Sequence, residues 1–216
     1  GTIGSNSGFL FVGGSAGNDA YLSFGSDGVR PATSAGAARD AAIDLGGSTN
    51  RFKDLYLSGG AYLGGTAAAN KLDDYEEGTW TPIYKDENDA AVTNLTNQTG
   101  HYVKVGDSVY VEGCLRTQGS SSTSGLSGDL RITGLPFAAQ NTTSSGHVMF
   151  HTHESSAAYN APSELPRTSP VVANQSFIAV MKYPGTGGRT INFQISDLNM
   201  SGNSNFMFFS GVYKVA

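Results

Sequence analysis

The most informative segment of the chain spans residues 41–84 and reads AAIDLGGSTNRFKDLYLSGGAYLGGTAAANKLDDYEEGTWTPIY. It joins two parts of the chain that differ in the pattern of their apolar residues. Before it, short apolar runs are separated by glycines. After it, longer runs alternate apolar and polar residues, the period of a half-buried strand. The change predicts a glycine-rich β stalk over residues 1–72 and a larger domain over residues 73–216.

The composition is typical of short strands joined by many tight turns. Glycine supplies 29 of the 216 residues, about twice its usual share, while charged residues make up 14% and hydrophobic residues 38%. Branched and aromatic apolar residues recur throughout, which excludes a disordered chain. The single cysteine, Cys114, excludes an intrachain disulfide framework.

The charge distribution argues against two classes of partner. The net charge is -5, and residues 1–72 contribute none of it, because their five basic and five acidic groups cancel. Without a basic stripe, the chain is not expected to bind nucleic acid or an anionic membrane surface. No apolar run approaches the ~18 residues that a membrane span needs, so membrane insertion is not expected either.

The first part of the chain carries five short apolar runs, at residues 8–13, 20–25, 42–46, 54–59 and 61–64. Each run is predicted to form a strand, but so few strands do not make a stable globule alone, since isolated hairpins are marginal in water. Threefold assembly would place each apolar face against the other two copies. We therefore predict an intertwined trimeric β stalk, and so a homotrimer.

The second part reads as one all-β domain. Candidate strands lie at residues 79–84, 100–105, 108–116, 128–133, 147–153, 177–183, 190–198 and 205–215. In residues 108–113, Val109 and Val111 point to one side and Tyr110 and Glu112 to the other. About eight strands separated by turn-rich loops predict a jelly-roll-like β-sandwich head.

Four motifs in these two parts carry a resemblance. They are DLGGSTNRFKDLYLSG at residues 44–59, DDYEEGTWTP at 73–82, GHYVKVGDSV at 100–109 and LRITGLPF at 130–137. Together they resemble the distal tail-fibre, receptor-binding proteins of bacteriophages, particularly marine phages and cyanophages. In those proteins a YEEGTWTP-type segment opens the C-terminal domain. Trp80 lies inside this motif and is expected to be a core anchor.

The resemblance implies a virion structural protein, extracellular and part of the tail fibre. It implies adsorption to a bacterial surface receptor, either a cell-surface glycan or an outer-membrane protein, and attachment to upstream tail-fibre segments. A capsid-attached head fibre with the same binding duty is an alternative.

Receptor contacts are predicted in the loops at the ends of the sandwich, where binding residues usually lie. Aromatic, arginine and amide side chains suit both glycan recognition and adaptable protein contacts. The residues that meet this description are Tyr159, Asn160, Arg167, Tyr183 and Arg189. The alternative is that these loops are ordinary solvated surface.

A transition-metal site is a further hypothesis. His151 and His153 are two residues apart, so on a strand both imidazoles would face the same side. Three copies would offer six nitrogens around a threefold axis, an octahedral set, and some tail fibres hold iron in this way. Ordinary histidines without a ligand are the alternative, in which case the protein needs no cofactor.

No enzymatic activity is expected from the sequence. Polysaccharide-cleaving tailspikes use paired carboxylates across a sugar-binding groove, and such spikes are commonly long parallel β-helices. This chain lacks that length and coil-by-coil period, and its carboxylates Glu112, Glu154, Glu164 and Asp197 are isolated in sequence. A depolymerase tailspike is therefore the alternative function, behind a non-catalytic adhesin.

Overall fold

The computed structural model describes residues 1–15, 20–142, 146–152, 165–184, 188–200 and 205–216. It forms two compact units, Gly1–Ser58 and Gly59–Ala216. The described residues contain no α-helix, only short 3-10 turns at Ala68–Asn70 and Ile195–Asp197, so the predicted all-β class is confirmed. No helix in this part of the chain is long and apolar enough to cross a bilayer. The functional division at residues 72/73 stays a prediction, because compactness does not report what each part does.

The smaller unit is a four-stranded antiparallel meander. In both chain and sheet order its strands are β1 (Thr2–Asn6), β2 (Phe9–Gly13), β3 (Tyr21–Phe24) and β4 (Val29–Ala32). Ser7 and Gly8 join the first two strands, and both have positive φ, 50° and 85°. This is the type I′ turn, whose twist matches that of the flanking strands.

The two faces of this meander differ in burial. One face holds a small core of Phe11, Tyr21 and Ala32, with the two rings edge-to-face at 6.1 Å. The other face, here called the apolar sheet face, carries exposed Ile3, Leu10, Val12, Leu22, Phe24 and Val29. These side chains are neighbours, because Val12 pairs with both Ile3 and Leu22, and Phe24 pairs with both Leu10 and Val29.

Two of the strands predicted in the stalk do not form. The runs at residues 42–46 and 54–59 pair with no described segment, and their side chains stay exposed, as Leu45 (71%) and Tyr56 (89%) illustrate. A strand exists only by hydrogen bonding to a neighbour, and local apolar pattern cannot supply one. The run at residues 61–64 does find a partner: β5 (Ala61–Tyr62) pairs with β6 (Lys71–Leu72).

The larger unit contains all the remaining strands. They are β7 (Tyr75–Trp80), β8 (Ile83–Lys85), β9 (Thr96–Val105), β10 (Ser108–Arg116), β11 (Arg131–Thr133), β12 (Gly146–Thr152), β13 (Ser169–Pro170), β14 (Phe177–Ala179), β15 (Met181–Lys182), β16 (Ile191–Asn192) and β17 (Met207–Lys214).

Besides the two-stranded pairs β5–β6 and β15–β16, two larger antiparallel sheets form this unit. The larger has six strands in the order β13-β12-β17-β10-β9-β7, and the smaller has three in the order β14-β11-β8. One buried cluster takes side chains from both, including Val109 and Val111 of β10 and Ile132 of β11, each fully buried. The predicted β-sandwich is therefore confirmed, as is the outward orientation of Tyr110 and Glu112.

The motifs that carry the resemblance have clear structural roles in this sandwich. Gly106, with φ 57°, opens the two-residue loop of the β9–β10 hairpin. The Tyr102 ring packs edge-on against Phe137 at 5.5 Å, and the Lys104 ammonium lies 5.6 Å from the same ring while pairing with Asp74. The motifs thus join the hairpin, the start of β7 and the segment after β11 into one corner of the fold.

A second link closes the same corner. Tyr213 of the C-terminal strand β17 donates its hydroxyl hydrogen to the Phe137 carbonyl at 3.1 Å and accepts from the Phe137 N–H at 3.3 Å. Burial raises the pKa of Tyr213 to about 12, so the hydroxyl stays protonated and able to donate at physiological pH.

The centre of the six-stranded sheet is a row of aromatic residues and glycines. In cross-strand order the row, here called the core row, is Trp80, Gly100, Gly113, Phe209 and Phe150. The two glycines leave space that the neighbouring rings fill: Trp80 and Phe209 lie 5.8 Å apart, and Phe209 and Phe150 5.7 Å apart. Trp80 is buried, which confirms it as a core anchor.

The predicted strand at residues 190–198 is mostly replaced by a turn. Ile191–Asn192 pairs with β15, Gln194 forms an isolated bridge with Asp129, and the Ile195–Asp197 turn follows. The Asp197 carboxylate accepts from the Gln194 N–H at 2.8 Å and pairs with the buried Lys182 ammonium at 2.7 Å. Burying a carboxylate requires such partners, and here they stabilise a turn instead of a continued strand.

Candidate functional site

Three of the five residues predicted to contact a receptor can be located. Tyr159 and Asn160 lie outside the described residues. Arg167, Tyr183 and Arg189 are exposed, as a contact residue must be. Their role in binding stays a prediction.

These three residues lie around one hairpin. The Arg167 N–H donates to the Met181 carbonyl in β15 at 2.9 Å. Tyr183 directly follows β15, and Arg189 lies two residues before β16, the strand that pairs with β15. Residues far apart in sequence are thus attached to neighbouring backbone. We refer to them as the hairpin loop site.

Only one of the two proposed metal ligands, His151, lies among the described residues. His151 is exposed on the outer face of β12, and His147 lies on the same face four residues earlier. His153 lies outside the described residues, so the His-x-His pair is untested. Within the described part of the chain, no group of three or more metal-ligating side chains is brought together.

The larger concentration of polar and aromatic groups lies elsewhere, on the outer face of the six-stranded sheet. An open depression of about 370 Å³ is formed there by side chains from four adjacent strands, β9, β10, β17 and β12. We call it the sheet-face groove. Its side chains are Thr99, His101, Tyr110, Glu112, Cys114, His151, Phe208 and Ser210.

Strand register explains how these side chains meet. Glu112 of β10 lies directly between His101 of β9 and Ser210 of β17. Two residues further along the strands, on the same face, His151 of β12 is opposite Phe208 of β17. Side chains that alternate along each strand share the outer face, so two adjacent cross-strand rows line the groove, and Tyr110 joins them from the next row.

Glu112, the one carboxylate among the described residues of the groove, is held by a neighbouring phenol. The Tyr110 hydroxyl donates to Oε2 of Glu112 at 3.1 Å. Burial raises the pKa of Tyr110, and the hydrogen bond to the Glu112 carboxylate and that group's negative charge raise it further, while a contact with Ser210 lowers it. The phenol therefore remains a donor that fixes the carboxylate.

The groove also contains the single thiol of the chain. Cys114 Sγ lies 3.1 Å from Thr99 Oγ1 and donates to the Asn97 carbonyl at 3.4 Å. Cys114 is partly exposed and forms no disulfide. Its hydrogen bonds make it a polar part of the groove wall.

Sequence reasoning did not identify this groove, although part of the signal was present. The alternation of β10 placed Tyr110 and Glu112 on the outer face, and a two-residue hairpin loop would have paired Glu112 with His101. The strands that complete the groove, β12 and β17, join it through long-range pairing that no local pattern announces.

Comparisons with known proteins give one informative match. No protein-family model matches the chain. No curated protein matches it either. Among solved structures, the crystal structure of Dettilon tailspike protein (gp208) is similar, with a TM-score of 0.51 and 21% sequence identity. The match covers 65% of this chain and 24% of the tailspike chain.

This likeness is one of fold. The smaller unit holds only 58 of the 216 residues, so a match over 65% of the chain must include much of the larger unit. The chain corresponds to about a quarter of the tailspike's length. The fold therefore occurs within a tailspike protein, and what that whole protein does is not carried over by the likeness.

The expectation that the protein has no enzymatic activity is wrong as a deduction from the sequence. That expectation excluded an enzymatic tailspike because this chain is short and has no coil-by-coil period. The tailspike likeness overturns that argument, since a fold like this one makes up part of a tailspike chain and needs no such period. Length and missing periodicity carry no weight against an enzyme.

Proposed function

We propose that this chain is the receptor-binding part of a bacteriophage tail fibre or tailspike, extracellular in the virion, which adsorbs the phage to its bacterial host. The observation that carries the proposal is the shared fold with a tailspike protein, reached independently of the motifs that resemble distal tail-fibre proteins. A surface glycan is the preferred receptor and an outer-membrane protein the alternative.

The hairpin loop site supports an adhesive role. Arg167, Tyr183 and Arg189 are exposed around β15 and β16. Arginine and tyrosine provide planar contact surface together with hydrogen-bond donors, and such side chains dominate the energetics of recognition surfaces. Three copies in a trimer would act together, and linked sites gain avidity of ~10² or more over a single contact.

Adsorption to cells tests this proposal. Fluorescently labelled protein is applied to a panel of bacterial strains, and the triple variant Arg167→Ala, Tyr183→Ala, Arg189→Ala is compared with the parent. We expect the parent to stain particular strains and the variant to lose at least tenfold in bound signal, with an unchanged melting temperature. Exposed substitutions usually shift stability by under ~0.5 kcal/mol.

The matched control is the double variant Arg51→Ala, Tyr75→Ala, which removes the same residue types at exposed positions that do not belong to the hairpin loop site. It should adsorb like the parent. Equal adsorption by parent and triple variant would remove the hairpin loop site from the proposal, and a parent that stains no strain would remove the adhesive role.

A second function, cleavage of the polysaccharide that is bound, is favoured by the same tailspike likeness. Incubation with purified host capsule or lipopolysaccharide, followed by a reducing-end assay, separates the two. Release of reducing ends would assign the chain to a depolymerase; staining of cells with no release from the same strain would assign it to an adhesin.

We also propose that the protein is a homotrimer continuing from upstream tail-fibre segments. The apolar sheet face and the exposed run at residues 54–59 support this, because both leave large apolar side chains in solvent that an additional copy could cover.

A further inference from the structure

The sheet-face groove differs from an ordinary solvated sheet face in the side chains it contains. Its described side chains include no lysine or arginine; they provide one carboxylate, two imidazoles, three hydroxyl groups, one thiol and the aromatic rings of Tyr110 and Phe208. The exposed face of a sheet is usually covered by charged side chains of both signs. A groove whose described lining contains no cation therefore differs from an ordinary sheet surface.

Apart from the hydrogen bond from Tyr110 to Glu112, three polar groups of the groove are engaged by no described residue. Tyr110 holds Oε2 of Glu112, while within the described part of the chain nothing donates to Oε1 and no cation pairs with this carboxylate. The imidazoles of His101 and His151 make no hydrogen bond to any described residue. One fixed acceptor and two groups that can donate or accept thus face the same space.

The platform beneath these groups is rigid. The groove lies on four central strands of the sheet, and the opposite face of those strands is the core row, with Phe209 in contact with both Trp80 and Phe150. Side chains on paired central strands lose little further freedom when a ligand binds, which favours affinity.

The chemistry of the groove selects among ligand classes. Among its described residues the groove has one carboxylate and no cation, which disfavours phosphates, uronic acids and other anions, and the net charge of -5 disfavours them further. Carboxylate, imidazole and hydroxyl groups suit a ligand with many hydroxyls, and the rings of Tyr110 and Phe208 suit its apolar faces. The volume, about 370 Å³, is at the small end for ligand pockets, ~300–1,000 Å³.

We propose that the sheet-face groove binds a neutral, hydroxyl-rich glycan segment, with Glu112 accepting sugar hydroxyls and Tyr110 and Phe208 packing against the sugar rings. The inference deepens the proposed receptor-binding function by adding a glycan site on the sheet, separate from the hairpin loop site. Glu112 is the specificity-determining residue of this site, and Tyr110 is the positioning residue that holds it.

The test uses the full chain and defined sugars. Binding is measured by saturation-transfer NMR and titration calorimetry with tetrasaccharides of glucose, galactose, mannose and N-acetylglucosamine, and with tetragalacturonate as an anionic comparison. We expect at least one neutral tetrasaccharide to bind and tetragalacturonate not to bind. Glu112→Gln should weaken the neutral ligand at least tenfold, and Tyr110→Phe, which keeps the ring, several-fold.

The chain offers a matched control. On the edge strand β7, the Tyr75 hydroxyl donates to Oε2 of Glu77 at 2.8 Å, the same Tyr-x-Glu arrangement outside the groove. Glu77→Gln and Tyr75→Phe should leave affinity unchanged. Their melting temperatures also calibrate the structural effect of losing such a pair, so that misfolding is not mistaken for lost binding.

Three results would overturn the inference: no neutral tetrasaccharide binds, tetragalacturonate binds equally well, or Glu112→Gln and Glu77→Gln have the same effect on affinity. A change of oligomeric mass in Glu112→Gln would overturn it as well, because the groove would then be an interface between copies. Failure of the proposed receptor-binding function gives a different result from failure of this inference. If the protein binds a sugar but adsorbs to no strain, the glycan site in the groove stands and the receptor role is excluded.

Discussion

Asp86 is a buried carboxylate that shapes the turn between β8 and β9. It is 1% exposed, and its oxygens accept from three backbone N–H groups, of Asn88 and Ala90 at 2.9 Å and of Ser127 at 3.3 Å. Burial, the largest single influence, raises the pKa of Asp86, but the donated hydrogen bonds together lower it below its ordinary value of 3.8. The conformation of the turn between β8 and β9 thus depends on the ionised Asp86 side chain.

This arrangement predicts an acid-dependent contribution to stability. Because the pKa of Asp86 is lower in the folded state than in the unfolded state, its contribution is complete above the ordinary carboxyl pKa and is lost as pH falls through the folded value. Asp86→Asn should therefore melt below the parent at pH 7, and the difference should shrink below about pH 4. Thermal unfolding followed by circular dichroism from pH 7 to pH 2.5 measures it.

Asp89→Asn is the control, because Asp89 lies in the same turn but is exposed and pairs only with the Lys85 ammonium at the surface. Exposed pairs contribute little, so its melting temperature should stay close to that of the parent. A gap between Asp86→Asn and the parent that is constant across this pH range would contradict the assigned role of the ionised carboxylate.

At the scale of elements, the core row explains why β9 and β10 carry opposed glycines. A methyl group on Gly100 would lie 2.5 Å from Nε1 of Trp80, and one on Gly113 would lie 2.9 Å from the Phe209 ring and from the Thr99 carbonyl oxygen. The rings therefore occupy the volume that side chains would fill at these two positions. The two glycines are therefore part of the hydrophobic core, because the Trp80 and Phe209 rings pack directly against them.

Gly100→Ala should destabilise the protein by about 1–3 kcal/mol, the usual cost of overpacking a core. Urea unfolding monitored by the fluorescence of Trp80 measures this directly. Gly59→Ala is the matched control, since nothing lies within 4 Å of its added methyl group. Stability equal to the parent in both variants would show that the rings shift freely and that the row is not tightly packed.

At the scale of the whole molecule, the smaller unit has little core of its own. Its buried cluster consists of three residues, while six apolar side chains of the apolar sheet face stay exposed. Contiguous exposed apolar patches often mark interaction surfaces, so this face supports the proposed trimer.

We expect light scattering to give a mass three times the 22.4 kDa of one chain. Leu22→Lys, at the centre of the apolar sheet face, should shift the mass toward the monomer, because a buried, unpaired charge is costly. Ser26→Lys adds the same charge in the exposed β3–β4 turn and should remain a trimer. A stable monomer for the parent chain would exclude the intertwined stalk.

Much of the larger unit could be read from sequence because its signals are local. Alternation in residues 108–113 correctly placed Val109 and Val111 inside and Glu112 outside, and a loop containing Gly106 marked the β9–β10 hairpin. Side-chain period and turn chemistry act over a few residues, so they can be recognised without knowing the rest of the fold. The all-β class followed from the same kind of signal, whereas the buried position of Trp80 was expected from the motif that carries the resemblance.

The tertiary structure alone decided which distant segments meet. Pairing of β12 and β10 with β17 brings His151, Glu112 and Ser210 into one groove, although the last two are almost a hundred residues apart. The Lys182–Asp197 pair likewise turned a predicted strand into a short turn. Long-range pairing depends on the packing of the entire core, so a local stretch of sequence does not identify the distant segment with which it will pair.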